Sequence, residues 1–366
     1  MKEKDKILII GGYGTVGSIV SEQLASAYPS KVIIGGRNKL KADEFIHHRK
    51  LEAKSISIDI NSDNFEEVDF DQVHTAISCI ETMNTSFILD CILYKVNYTE
   101  IGTSFRVHQR FFGLLDYIND SDVLIIPSVG LVPGLSNIIA FNEAKKFVQI
   151  EEIHTFVMLG IGESYGLDSV RFMISNAMQT FKIKTVQGLL SVKGFTKPKS
   201  TRLLNEAKKR TFYLFDFSDH HISRILIRTN AIDTRLNFDS KAVTYVFYIL
   251  QRLGFLRWAK YLKPTLLKKI LDQIKKGTEI FGLQVEISGK DTKGKQVVHK
   301  SLVTGEKEAF ATGLVTSYAA KLLYENTTRK GLKHIEEICD FDVLKTILKQ
   351  YNIQILNDTK HESYII

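Results

Sequence analysis

The sequence predicts an α/β protein in which a doubly wound parallel sheet is joined to an inserted α+β domain. Three observations support this fold class. Over the first 140 residues, short β-branched runs alternate with helical patterns, which is the rhythm of a parallel sheet with crossover helices. Several of these strand-like runs are almost continuously apolar, which indicates a sheet buried on both faces. From about residue 151 the strand-like runs become longer and alternate, which indicates a second, mixed domain.

The periodicity predicts the individual elements of the first domain. Strands are expected over residues 6–10, 31–34, 54–58, 73–78 and 123–126, and helices over 15–28, 85–94 and 105–118. In the first helix, Val16, Ile19, Val20 and Leu24 share one face. These elements form the predicted domain 1–140.

Residues 141–304 are predicted to form the second domain. Strands are expected over residues 153–159, 211–217, 221–229, 280–288 and 297–303, the last two joined as a hairpin, and a helix over 168–188. A long helical insert is expected over 242–276. The chain then returns to helix over 305–323 and 341–350.

Composition narrows the function classes. The 366 residues are 44% hydrophobic and 25% charged, which is typical of a packed globular protein of about two domains. Cys79, Cys91 and Cys339 are too widely spaced for a disulfide framework or a zinc site, so we expect a reducing, cytoplasmic location and no metal. No targeting segment or membrane span is expected. The net charge of +8 is concentrated in two basic segments, 193–210 and 254–276, and neither has the pattern of a recognised nucleic-acid-binding fold, so no nucleic-acid partner is expected.

A glycine-rich stretch directly follows the first predicted strand. It contains the spacing G-x-G-x-x-G and opens an amphipathic helix, the context in which this spacing binds the pyrophosphate of a dinucleotide. Gly12 is expected to permit the tight turn, Gly14 to let the phosphates approach the backbone, and Gly17 to let the helix pack closely. The predicted cofactor-binding turn comprises Gly12, Tyr13, Gly14, Thr15, Val16 and Gly17. The sequence therefore predicts a Rossmann-like fold.

The residues at the end of the second strand indicate whether the site prefers NADP or NAD. A site that prefers NAD usually has an acid here, which binds the ribose 2′-hydroxyl. This strand is followed instead by Arg37 and Asn38, and a guanidinium can bind a 2′-phosphate through paired hydrogen bonds. NADP is the predicted cofactor, with NAD as the alternative.

Two further strand ends complete the predicted cofactor site. Asp59 and Ile60 follow the third strand and are expected near the adenine, although Asp59 could equally cap a helix. Ser78 and Cys79 end the fourth strand and are expected near the nicotinamide ribose. Both expectations rest on a ligand lying across the carboxyl ends of parallel strands.

The sequence resembles the saccharopine dehydrogenase-like family of NAD(P)-dependent oxidoreductases. The resemblance lies in ILIIGGYGTVGSIVSEQLA, VIIGGRN, NYTEIG, SVGLVPGLSN and the C-terminal helices. It implies that about residues 305–366 complete the first domain, and that 141–304 serve substrate binding and dimerisation, with a homodimer expected. It also implies hydride transfer to or from a C–N bond, an imine or secondary amine, of a small metabolite.

Three residues in these motifs are candidates for substrate chemistry. Tyr98 and Glu100 belong to NYTEIG, and either could orient a proton donor at the end of a strand. Asn137 belongs to SVGLVPGLSN and could bond the substrate or the cofactor carboxamide, or act as a buried cap. Arg106 and Arg171 are the arginines considered for a substrate carboxylate.

Two alternatives to this function stay open. One keeps the cofactor but takes a hydrophobic carbonyl or alkene, with the insert over residues 245–276 forming the pocket. The other is a non-catalytic NADP-binding scaffold. The insert pairs an apolar stripe with lysines, a pattern that can also lie on a membrane surface. We favour its packing as an amphipathic helical pair on the second domain.

Overall fold

The computed structural model describes residues 4–163, 167–259, 277–326 and 328–361. The chain divides into two units. The first unit consists of Met1–Leu135 and Ala309–Leu344, and the second of Ser136–Glu308 and Lys345–Ile366. Each unit is built around one main sheet.

The strands in chain order are β1 (Lys6–Ile10), β2 (Val32–Gly36), β3 (Ala53–Ser57), β4 (Val73–Ser78), β5 (Asn97–Glu100), β6 (Leu124–Ile126), β7 (Phe147–Leu159), β8 (Thr180–Thr185), β9 (Gly188–Lys193), β10 (Lys199–Thr201), β11 (Arg210–Leu214), β12 (Thr229–Phe238), β13 (Ile280–Asp291), β14 (Gln296–Glu306), β15 (Gly331–Leu332) and β16 (Gln354–His361).

The α-helices in chain order are α1 (Thr15–Ala27), α2 (Lys39–Arg49), α3 (Ser86–Leu93), α4 (Phe105–Gln109), α5 (Leu115–Asn119), α6 (Ser136–Ala144), α7 (Leu167–Met178), α8 (Asp219–Leu226), α9 (Lys241–Arg252), α10 (Leu256–Ala259), α11 (Glu308–Tyr324), α12 (Ile335–Ile338) and α13 (Phe341–Gln350). A 3₁₀ helix, Arg110–Leu114, links α4 to α5.

The sheet of the first unit is parallel, with the order β15-β6-β5-β4-β1-β2-β3. The order reverses between β1 and β4, which is the topology of a doubly wound dinucleotide-binding sheet. Alternate residues of β1 belong to different cores: Leu8 and Ile10 to one, and Ile7 and Ile9 to the other. This sheet is therefore buried on both faces, as its apolar strands predict.

The sheet of the second unit is mixed, with the order β10-β11-β12-β7-β13-β14-β16 and the β8–β9 hairpin attached to β12. Its central pair, β7 and β12, is parallel. β13 and β14 form the hairpin that the sequence predicts. Helices α6 and α8 pack against each other, α6 on β7 and β13, and α8 on β12. The α/β fold class with a second α+β unit is confirmed.

Two predicted elements of the second unit differ in kind from the observed ones. The helix expected over residues 168–188 ends at Met178, and β8 and β9 follow because Phe181 and Ile183 alternate into an apolar cluster. Residues 221–229 were predicted as a strand, but Asp219–Leu226 is helical. Its β-branched residues favoured a strand, but packing of this segment on α6 and β12 overrides that local preference.

The C-terminal end of the first unit also differs from the prediction. Residues 305–366 were expected to complete the first domain, but β16 pairs with β14 in the second sheet. Because β14 otherwise has a partner on one edge only, this last strand covers its other edge. The first unit therefore draws its C-terminal segment from Ala309–Leu344.

The predicted insert is described only in part, because residues 260–276 lie outside the described residues. Within it, Phe247 packs on Phe195 with ring centroids 4.7 Å apart, and Tyr248 stacks on Tyr213 at 4.7 Å. These contacts pack one side of α9, whereas Tyr245 and Val246 are exposed, so the packing that we favoured for the whole insert stays a prediction. Among the described residues, no helix has both the length and the apolar character needed to cross a membrane.

Candidate functional site

The turn between β1 and α1 lies where the sheet order reverses. Ligands of parallel sheets bind beyond the carboxyl ends of the strands at such a point. Gly11 has a φ of +75°, so this residue makes the tight turn possible, rather than Gly12 as we predicted. Gly12 is required by close packing instead, because a Cβ there would lie 2.8 Å from Ser21 Oγ and 3.0 Å from Ile34 Cγ2.

The other two glycines of the turn differ in what surrounds them. A Cβ on Gly17 would lie 2.0 Å from the carbonyl oxygen of Gly11, so the helix approaches the turn too closely for any side chain. Gly14 is exposed, and the single atom near its Cβ position is the Gly11 oxygen at 3.2 Å. The surface at Gly14 is therefore open to a ligand.

The amino terminus of α1 offers backbone donors beside this open surface. The N–H groups of Thr15, Val16 and Gly17 precede any acceptor within the helix. The Gly14 N–H is already used, since it donates to Gly11 O at 2.9 Å. The first turn of α1 contains no acidic residue. Its unpaired donors and the positive end of the helix dipole suit an anion such as a phosphate.

The end of β2 presents Arg37 to solvent. Within the described residues Arg37 makes no hydrogen bond or ion pair, so its guanidinium is available to a ligand. Asn38 caps α2, because its side chain accepts a hydrogen bond from Lys41 N–H at 3.1 Å. Tyr13 contacts the same strand end, because its phenol oxygen accepts a hydrogen bond from Asn38 N–H at 3.2 Å. Tyr13 thus connects the glycine turn to the segment that carries Arg37.

Of the four predicted cofactor residues that follow β3 or end β4, Asp59 alone is exposed. Asp59 is exposed and forms a turn by accepting a hydrogen bond from Asn61 N–H at 3.0 Å, with no helix for it to cap. Ile60 is 2% exposed and belongs to the core, so its side chain is not open to an adenine ring. Ser78 is buried and donates to Ile80 O at 2.8 Å. Burial raises the pKa of the Cys79 thiol to about 12, so the thiol stays protonated.

A buried ion pair lies at the end of β5. Glu100 is completely buried; its Oε2 accepts a hydrogen bond from the Tyr98 phenol at 2.8 Å and pairs with the Arg110 guanidinium. Its Oε1 has no hydrogen-bond partner among the described residues. Burial raises the pKa of Glu100 to about 7, although Arg110 and Tyr98 act in the opposite direction.

Arg110 also ties β5 to the loop that follows β4. Its guanidinium donates to the carbonyl oxygens of Thr82 and Asn84, the latter at 3.0 Å. Tyr98 is fully buried as well, which raises the pKa of its phenol well above the ordinary value. The Tyr98–Glu100–Arg110 group thus has a clear structural role. Direct involvement of Tyr98 or Glu100 in catalysis stays a prediction.

The motif SVGLVPGLSN forms a buried turn followed by α6. Gly134 has a φ of +115°, which requires glycine, and Leu135 N–H donates to Gly130 O at 2.9 Å. Asn137 belongs to the second unit, where its side-chain amide donates to Asp219 O at 3.0 Å and to Ser223 Oγ at 2.9 Å. Asn137 therefore joins α6 to α8, and its role towards a substrate also stays a prediction.

The two arginines considered for a substrate carboxylate lie at the surface, and that role stays a prediction. Arg106 and Arg171 are both exposed. Sequence reasoning missed Arg110, whose guanidinium is buried and whose side chain is 4% exposed. A signal was present, because Arg110 follows Val107 by three residues and precedes Leu114 by four, which places it on the apolar face of a helical stretch.

The second unit contains another charged network that we did not predict. His154 on β7 lies opposite Asp233 on β12, with Nδ1 and Oδ1 3.1 Å apart, and Arg235 contacts both oxygens of Asp233 at 2.8 and 3.0 Å. Burial opposes protonation of His154, but Asp233 and Glu152 outweigh it and raise the pKa of the ring. This network is buried and fully paired, which favours a structural role.

No family model matches the chain, and no curated protein matches it. Among solved structures, saccharopine dehydrogenase (L-Glu forming) from Saccharomyces cerevisiae is 14% identical, with 97% of this chain and 100% of that chain covered and a TM-score of 0.71. A meso-dapdh mutant from Clostridium tetani E88 is 15% identical over 95% and 99% of the two chains, with a TM-score of 0.48. A myo-inositol dehydrogenase from Corynebacterium glutamicum is 9% identical over 98% and 99%, with a TM-score of 0.43. The chain has the fold of saccharopine dehydrogenase over nearly its whole length, which confirms the fold that the sequence resemblance implied.

Proposed function

We propose that this chain is an oxidoreductase that uses a nicotinamide dinucleotide, with NADP(H) preferred over NAD(H). The proposed reaction is hydride transfer to or from a C–N bond of a small metabolite. The observation that carries the proposal is the open amino terminus of α1, reached across the exposed Gly14. This position, at the reversal of a parallel sheet, is where dinucleotide pyrophosphates bind in such folds.

The residues present fit this cofactor. The N–H groups of Thr15, Val16 and Gly17 would hold the pyrophosphate, and Arg37 would bind the 2′-phosphate of the ribose. Lys41 is exposed on the same segment and adds positive charge, whereas Lys39 is engaged by Asp43 at 3.0 Å. An acid at the end of β2, which would repel a 2′-phosphate, is absent from the strand and from residues 37–39.

The remaining proposed roles concern the proton and the orientation of the reacting groups. When bound, the nicotinamide supplies or accepts the hydride, while the substrate nitrogen gains or loses a proton. Because the pKa of Glu100 is near 7, its carboxyl group exists in both protonation states around neutral pH. We assign Glu100, Tyr98 and Asn137 as positioning residues, since each is buried and held by protein hydrogen bonds.

The phosphate role of the turn is tested by Gly14→Val. Gly14 is exposed and has a single neighbour, so valine should leave the fold intact while its side chain blocks the surface over the N–H groups. We expect loss of both NADPH and NADH binding in calorimetry, with an unchanged circular dichroism spectrum. Gly113→Val is the matched control, because Gly113 is also exposed and a Cβ there would have no neighbour within 4 Å. Unchanged affinity in Gly14→Val would refute the assignment.

Cofactor preference is tested by Arg37→Gln. Hydrogen bonds between charged groups contribute about 1.5–3 kcal/mol, so NADPH affinity should fall roughly 10- to 150-fold. NADH affinity should change little, because NADH lacks the 2′-phosphate. Arg49→Gln removes an exposed arginine of the same unit and should alter neither affinity. An equal loss for both nucleotides in Arg37→Gln would contradict the 2′-phosphate role.

The substrate class is tested by following NADPH oxidation with two panels of compounds. One panel pairs 2-oxo acids with amines, which form imines in solution, and the other contains apolar aldehydes, ketones and enones. We expect turnover with the first panel and its loss in Gly14→Val. Turnover with the second panel alone would replace the C–N assignment with reduction of a hydrophobic carbonyl or alkene. Tight NADPH binding without turnover in either panel would favour a non-catalytic scaffold.

A further inference from the structure

Three potential metal ligands converge in the second unit. Asp216 follows β11, and His220 and His221 lie in the first turn of α8. One ligand atom from each residue lies within 4.8 Å of the others. Both histidines are buried, whereas the Asp216 side chain is 15% exposed, so the cluster reaches solvent on the aspartate side.

His220 is the least satisfied member of this cluster. Its side chain is 1% exposed, yet neither Nδ1 nor Nε2 has a hydrogen-bond partner within the part of the chain that the structure describes. Buried polar groups normally find partners, because leaving them unpaired destabilises the fold. The two nearest carboxylates are too distant for hydrogen bonds: Asp216 Oδ1 lies 3.8 Å from Nε2, and Asp219 Oδ1 lies 3.7 Å from Nδ1.

The separations within the cluster suit an ion better than they suit direct bonding of His220. Ligands that surround Zn²⁺ tetrahedrally at 2.0–2.1 Å stand about 3.3 Å apart. Here Asp216 Oδ1 is 3.8 Å from His220 Nε2 and 2.7 Å from His221 Nε2. Both aspartate distances therefore lie within roughly 0.6 Å of the separation that a tetrahedral ion requires, and the two histidine ligand atoms lie within 4.8 Å of each other.

We propose that Asp216, His220 and His221 form a binding site for a divalent transition-metal ion of the Zn²⁺ type. Imidazole nitrogens are good ligands for such ions, whereas Mg²⁺ and Ca²⁺ prefer oxygen ligands. A site with two imidazoles and one carboxylate therefore favours the transition-metal ion. Three protein ligands leave one position for water or another small ligand on the exposed Asp216 side.

The surroundings of His220 support the proposal. Asp219 is buried and accepts hydrogen bonds from Thr234 Oγ1 at 2.8 and 2.9 Å, which fix its carboxylate near His220 Nδ1. A carboxylate that receives the second ring N–H typically orients a metal-binding histidine. Phe181 packs on the His220 ring at 5.7 Å and shields it from water. The proposal rests on the second unit alone and is independent of the dinucleotide assignment.

The test uses the full-length chain after chelator treatment and dialysis into metal-free buffer. We expect calorimetry to detect one Zn²⁺ ion per chain, and His220→Gln and Asp216→Asn each to weaken binding at least tenfold. The matched control is His48→Gln, because His47 and His48 are a second consecutive pair but are exposed on α2. This control should keep the full affinity of the unaltered chain.

Two further measurements keep the test decisive. Co²⁺ bound by the unaltered chain should show visible d–d absorption that is lost in Asp216→Asn, a variant at the partly exposed ligand that should fold even if His220→Gln does not. Zn²⁺ should also raise the melting temperature of the unaltered chain but not that of Asp216→Asn. Absence of binding, binding that survives Asp216→Asn at full affinity, or binding that is lost in His48→Gln would each overturn the proposal.

Discussion

The Glu100→Gln variant tests whether burial or attraction to Arg110 decides the protonation state of Glu100, the buried acid at the end of β5. Burial raises the pKa of Glu100 from 4.5 to about 7, while Arg110 and Tyr98 favour the charged form. Between these two pH values the folded protein holds a proton that the unfolded chain has released. The free energy of unfolding should therefore fall as the pH rises from 4.5 to 7 and change no further above that.

The magnitude follows from the size of the pKa change. A difference of about 2.5 pKa units corresponds to about 3 kcal/mol of unfolding free energy. Glutamine keeps the neutral form at every pH, so Glu100→Gln should not show this loss. Relative to the variant, the unaltered chain should become less stable by up to about 3 kcal/mol between pH 4.5 and 8.

The assay is urea unfolding followed by circular dichroism at several pH values for both proteins. Glu44→Gln, which alters an exposed acid on α2, is the control and should run parallel to the unaltered chain. If the unfolding free energies of Glu100→Gln and of the unaltered chain changed in parallel with pH, a raised pKa of Glu100 would be refuted. If the unaltered chain instead became more stable as the pH rose, attraction to Arg110 would outweigh burial. The pKa of Glu100 would then be lowered rather than raised.

Three further changes probe the two units. Gly17→Ala should destabilise the first unit and weaken dinucleotide binding, because its Cβ would lie 2.0 Å from Gly11 O; unchanged melting would show that the turn relaxes easily. Arg235→Met removes the guanidinium that pairs with the buried Asp233 carboxylate, so the free energy of unfolding in urea should fall by about 3–5 kcal/mol. A fall below about 1 kcal/mol would mean that His154 alone is a sufficient partner for Asp233. Leu8→Ala removes a fully buried side chain from the first core and should cost about 2–5 kcal/mol by the same assay; a cost close to zero would contradict close packing there.

The first unit could be predicted well because its signals are local. Apolar runs and a helical period specified β1, β4 and α1 to within a residue, and the glycine spacing located the turn. The strand pairing that places this turn at the reversal of the sheet follows from rules for parallel sheets. Sequence therefore predicted both the fold class and the position of the glycine turn, while the phosphate role of that turn stays a proposal.

The second unit was harder to predict because its elements depend on distant contacts. Phe181 and Ile183 alternate over too short a run to separate β8 from the preceding helix without their partner strand. The β-branched residues of α8 favour a strand locally, and packing against α6 and β12 overrides that preference. Arg110 was missed for a similar reason, since its partner Glu100 becomes its neighbour only when β5 enters the sheet.

The last strand has a consequence for how the chain is made. Because β16 covers the edge of β14, the second sheet lacks its final strand until residue 361 has left the ribosome. Until then Val297–Thr304 presents unpaired backbone groups along one side, a template on which a neighbouring nascent chain could pair. Shortening the chain before Gln354 should therefore favour aggregation during synthesis rather than a smaller stable protein.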